Sequence, residues 1–248
     1  MERPDYRGQA LFLAVIAAGI VFVLWNISLF DFFLYPFRLF VTFIHDAGHS
    51  LMAVFTGGDV IAFEVFGNGA GIATTRGGSR ALILPAGYLG AAFFGAALFY
   101  FVNATSFPRK IALAVGTGLI IVSVFMGAQG IALIVGVLSG LLLIFLSLQA
   151  APLVNILLLD VLAIITGLNA VMDLLFLAGN STLGMGTLRN DAAAFTHEIA
   201  PLVSPTIWAL IWCALAIFML GAAVWYSVIA PMREERRQQH SEEQAWPG

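Results

Sequence analysis

Residues Phe37 to Phe55 read FRLFVTFIHDAGHSLMAVF, a run of mostly Phe, Leu, Ile and Val with His45, Asp46 and His49 set into its middle. His45 and His49 are four positions apart, so on a helix they lie about 40° apart around the axis and one turn apart along it. Both imidazoles then point to one place. Such a pair is the two-histidine half of a divalent metal site, and the carboxylate beside it, Asp46, can serve as a general base. The competing reading is a pair of polar residues that only hydrogen-bond to neighbouring helices. Their placement weighs against it, because ionisable groups inside an apolar membrane segment are costly and by default mark function.

The chain around this segment is just as apolar. Its 248 residues are 60% hydrophobic and 10% charged, where a soluble domain would be about 25% charged, and the mean hydropathy is +0.96. Polar surface on that scale cannot cover a water-soluble fold, so the lipid bilayer must cover it. A spanning helix needs roughly 20 apolar residues, and that ruler gives about seven transmembrane helices. They run near Ala10 to Phe30, Phe37 to Phe55, Ala81 to Val102, Ile111 to Ala128, Ile131 to Leu148, Pro152 to Leu177 and Thr206 to Ile229. The expected architecture is an all-α polytopic membrane protein. One membrane-embedded domain covers 1–231, and a short polar tail covers 232–248. The first apolar run is too long for a signal-peptide core and is expected to be retained as a helix. The net charge of -3 argues against a nucleic-acid partner. Cys213 is the single cysteine and lies in an apolar run, where it suits a small buried hydrophobe.

Two connections are more than turns. Between the second and third helices, Ile61, Phe63 and Val65 alternate with Ala62 and Glu64, Gly67-Asn68-Gly69 interrupts, and Ile72 to Thr75 resumes. The pattern predicts a small β-hairpin beside the membrane, with an edge on which an extended peptide could pair. The second connection, Gly179 to Ser204, is polar and long, and holds Arg189, Asp191, His197 and Glu198. Length alone makes a role for it an expectation.

The pentad continues as His-Asp-Ala-Gly-His-Ser-Leu-Met-Ala-Val, then Thr56-Gly57-Gly58, Thr74-Thr75-Arg76-Gly77-Gly78 and Pro85-Ala86-Gly87-Tyr88-Leu89-Gly90. Gly167-Leu168-Asn169-Ala170-Val171-Met172-Asp173-Leu174 and Asn190-Asp191-Ala192-Ala193-Ala194 follow in order. This succession resembles the site-2 proteases, intramembrane zinc metallopeptidases, in their short bacterial branch without a PDZ domain. The membrane fatty-acid desaturases, which also carry His-Asp-x-x-His, need several further histidine-rich boxes. Only His197 and His240 remain here, each isolated.

The resemblance implies a Zn2+ ion held by His45, His49 and a carboxylate from a later helix, with Asp46 as the catalytic base. Asp173 is the carboxylate chosen. Asn169 lies four residues before it on the same helix face, where its amide could orient the carboxylate or a substrate backbone. Asp160 is the competitor, although it points roughly 140° away from Asp173 around the helix. His197 is a candidate for orienting substrate. The implied activity is hydrolysis of peptide bonds in transmembrane protein substrates by a multi-pass protein of the cell membrane. One departure falls on the catalytic position: the family carries Glu where this chain has Asp46, a carboxylate one methylene shorter. A base must come within about 2.6–3.2 Å of the proton it takes. The alternative expectation is therefore a catalytically impaired pseudo-protease that binds membrane partners. A transporter would also use midplane charges, but no inverted repeat is visible.

Overall fold

The structure, a computed structural model, describes residues 7–26, 31–180, 184–185 and 188–234. Eight helices are present among them: α1 (Arg7–Asn26), α2 (Asp31–Phe55), α3 (Arg80–Ala104), α4 (Pro108–Phe125), α5 (Gly130–Gln149), α6 (Pro152–Gly179), α7 (Asp191–Glu198) and α8 (Pro205–Val224). A π-helical turn, Trp225–Ile229, continues α8. Residues 235–248, most of the expected polar tail, lie outside the described residues.

Among the described residues five helices are long and apolar enough to cross a membrane: α3, α4, α5, α6 and α8 with its extension to Glu234. Two of the seven expected spans do not meet that measure. In α1 (Arg7–Asn26) the described side chains form the apolar run Leu11–Val23. In α2 the polar residues Arg38, Thr42, His45, Asp46 and His49 interrupt the apolar sequence. That stripe is what turns α2 from a lipid-facing element into the wall of a cavity.

Proline opens three of these helices at the first position, where no backbone donor is lost: Pro108 in α4, Pro152 in α6 and Pro205 in α8. Packing uses small residues, as membrane bundles must when lipid is as apolar as the core. At Gly48 of α2 an added Cβ would strike the Ala86 carbonyl of α3, and one at Gly90 would meet the Gly48 Cα. The two backbones therefore touch, and α3 is drawn onto the histidine face of α2. The principal core runs through α2, α3, α5, α6 and α8, with Phe43, Leu159, Leu174 and Ala216 excluded from solvent.

Strands β1 (Asp59–Val65) and β2 (Gly71–Arg76) pair antiparallel, with Val65 opposite Gly71 and an irregularity between Val60 and Ala62. Phe63 turns inward, its ring 5.0 Å from that of Phe43. Tyr35 and Thr42 of α2 donate side-chain hydrogen bonds to the Gly67 and Gly69 carbonyls, at 2.9 and 2.8 Å, so α2 grips the turn. The junction of α4 and α5 contributes β3 (Ala128–Gln129), parallel to β1 through Phe63 and Glu64. Strand order is β2-β1-β3, which leaves β2 at an edge. Past α6, the segment expected as one polar connection contains β4 (Gly184–Met185), β5 (Leu188–Arg189) and α7.

Candidate metal centre

On α2, His45 and His49 direct their Nε2 atoms at one another across 3.0 Å, as their one-turn separation requires. His49 Nδ1 lies 2.7 Å from the Ile83 carbonyl of α3. A carbonyl only accepts, so Nδ1 carries the proton and donates. In the neutral ring Nε2 is then the bare nitrogen, turned towards His45. The His45 ring is held from its other side by Tyr88, edge to face at 4.5 Å between centroids.

The third member is Asp191, the first residue of α7. Its Oδ2 is 3.3 Å from His49 Nε2 and 3.5 Å from His45 Nε2. His45, His49 and Asp191 form a set whose ligand atoms all lie within 4.8 Å of one another. Burial alone would raise the Asp191 carboxyl; when His49 and His45 are protonated, their charge and hydrogen bonds outweigh it and hold the group well below the usual carboxylate range. A carboxylate is what a divalent cation requires, and two imidazoles with one carboxylate match the three protein ligands of a catalytic zinc site. The space between them is protected by Gly87 on α3, where any Cβ would lie on both Nε2 atoms. The donor set and that clearance fit the ion which the motif implies.

Here the structure departs from the expected ligand set. Asp173 lines the same cavity, but its Oδ2 accepts from Asn169 Nδ2 at 2.6 Å, and the carboxylate set against both imidazoles belongs to Asp191. The expected pairing of Asn169 with Asp173 is present. Asp160 lies elsewhere, fully buried and receiving a 2.8 Å hydrogen bond from Asn103 Nδ2 of α3. His197, the other orienting candidate, is exposed on α7 and does not line the cavity.

Asp46 faces the hairpin. It is buried, and an added Cβ at Gly71 would fall on its Oδ2 and on the Thr42 methyl, so the carboxylate rests against the bare start of β2. Among the described residues neither Asp46 Oδ2 nor Asp160 Oδ2 has a hydrogen-bond partner. A cavity of about 630 Å³ joins these groups, lined by the histidines, Asp46, Asn169, Asp173, Asp191 and residues 69–74 of the hairpin.

Asp191 reaches the histidines because α7 is anchored along its length. Asn190 caps the helix by accepting from the Ala193 amide at 2.8 Å, and Phe195 packs its ring on Trp208 and Trp212 of α8 at 4.6 and 5.4 Å. Asparagine followed by an acidic first-turn residue is a helix-start signal that was present in the sequence. The involvement of Gly71 and the Ile83 carbonyl carried no such signal.

The Peptidase M50B-like family matches the chain over residues 13–223, which include every side chain of the site. No curated protein and no solved structure matches it.

Proposed function

The chain belongs to the Peptidase M50B-like family, and on that premise we propose that it is an intramembrane zinc metallopeptidase hydrolysing peptide bonds of transmembrane protein substrates in the cell membrane. The observation that carries this reading is the convergence of His45 Nε2, His49 Nε2 and Asp191 Oδ2 in one cavity with Asp46. Asp191 takes the ligand role first assigned to Asp173. A zinc ion held by these three groups supplies Lewis acidity towards the scissile carbonyl and the attacking water.

The remaining chemistry belongs to the chain. Asp46 accepts a proton from water as its oxygen bonds to the carbonyl carbon. The same proton then passes to the amide nitrogen as the C–N bond breaks, giving a carboxylic acid and an amine. Asn169 and Asp173 line the same cavity and offer hydrogen bonds to a substrate backbone. A helical substrate must be unwound before its peptide bonds are accessible, and β2 supports that step: it is an edge strand whose residues 71–74 line the cavity. An extended segment laid along it would gain main-chain hydrogen bonds in place of those of its helix.

The test is cleavage of a panel of single-span proteins by the purified protein with zinc, compared with Asp46→Asn. Cleavage by the parent that is lost in the variant is expected. Stoichiometric zinc without cleavage in either protein would favour a partner-binding role, and a parent with no zinc would end the metallopeptidase reading.

A further inference from the structure

Two ligands of the proposed site come from a long helix, but the third rides on eight residues. What orients α7 decides where Asp191 points. Glu198, its last residue, is seven positions after Asp191, two turns and about 10 Å further along the helix. It meets Arg80, the first residue of α3, through two hydrogen bonds: Nε to Oε2 at 2.8 Å and a terminal guanidinium nitrogen to Oε1 at 3.1 Å. A bidentate fork fixes direction as well as distance.

Arg80 shares its helix face with two groups already placed at the histidines. Ile83, three residues on, accepts from His49, and Gly87, seven on, clears the space before both Nε2 atoms. Spacings of three and seven residues recur on one side of a helix. A single face of α3 therefore references both halves of the ligand set, His49 through a carbonyl and Asp191 through the far end of α7.

We infer that the Arg80–Glu198 pair is a positioning clamp which orients α7 and so sets the affinity of the His45, His49 and Asp191 site for its divalent cation. This rests on the metal reading above. It differs from a simple charge effect in sign. If only charge mattered, removing Arg80 would tighten binding of a cation and removing Glu198 would weaken it. A clamp fails in the same direction whichever partner is lost.

The experiment uses the full chain in detergent with Arg80→Gln, Glu198→Gln, the double variant and the charge swap Arg80→Glu with Glu198→Arg. Zinc affinity is read by chelator competition, and hydrogen exchange of residues 191–198 is read on the zinc-free protein. Expected are losses of about 2–5-fold in zinc affinity for either single variant, the scale of a partly exposed ion pair. The double variant should be no worse, the swap should recover part of the loss, and exchange should rise in α7 while α2 and α3 keep theirs. Opposite signs for the two single variants, additive losses, or unchanged α7 exchange would overturn the clamp. A parent that takes up no zinc, with α7 exchange still raised in the variants, would end the metal reading and leave the clamp standing.

Discussion

Gly87 presents its bare Cα to the Nε2 atoms of His45 and His49, and a methyl group added there would occupy the point at which the two imidazoles converge. The position is helical and its φ is not in the left-handed region, so alanine would be tolerated by the backbone. Gly87→Ala should therefore leave the fold intact and lower zinc affinity by more than about 100-fold, the upper end for changes beside a metal ligand. Chelator competition and far-UV circular dichroism together check this. Full zinc occupancy in Gly87→Ala would show that the ion sits elsewhere.

Besides Asp46, two carboxylates line the cavity with the histidines, Asp173 and Asp191, and they should differ sharply. Asp191→Asn removes the group 3.3 Å from His49 and is expected to abolish stoichiometric zinc. Asp173→Asn alters a group bonded to Asn169 and is expected to keep the zinc while slowing cleavage. Metal analysis of the two purified variants decides between them, and the reverse pattern would restore Asp173 as the ligand.

That contrast shows what was legible in the sequence. The histidine pair was, because spacing of four is a local property of one helix and needs no knowledge of the rest of the fold. The third carboxylate was a tertiary question: Asp173 had the right local company in Asn169, but the carboxylate within 3.5 Å of both imidazoles is that of Asp191 on α7. The ruler for membrane spans finds runs of about 20 residues and passes over an eight-residue helix. The same ruler found α3 to α6 and α8, while at α2 the polar stripe that lines the cavity lowers the hydropathy of its own helix. The two residues of β3 had no local signature, since a parallel bridge to Phe63 and Glu64 is decided by the partner strand.

Asp160 should matter to stability and not to zinc. Asn103→Leu leaves this fully buried carboxyl without its 2.8 Å donor, and an unsatisfied buried group costs about 1–3 kcal/mol. Unfolding in a denaturing detergent series should show a loss of that size with zinc affinity unchanged. Loss of zinc without loss of stability would connect Asp160 to the site after all.

The contact of Asp46 with Gly71 gives the shortened carboxylate a defined seat, and a substitution outside the ligand set can test whether the seat matters. A Cβ at Gly71 would fall on Asp46 Oδ2, so Gly71→Ala should displace the carboxylate, keep the zinc and reduce turnover. Loss of a general base typically costs about 10²–10⁴-fold, which sets the expected effect of Asp46→Asn and the ceiling for Gly71→Ala. Since β2 is also the proposed substrate edge, the variant could instead act by weakening substrate pairing. The double variant separates these routes. If Gly71→Ala works through Asp46, combining it with Asp46→Asn lowers turnover no further than Asp46→Asn alone; if it works through the strand, the two losses multiply and KM rises. Residual turnover measured for the four proteins on one substrate therefore reports whether Asp46 is the base that the hairpin holds in place.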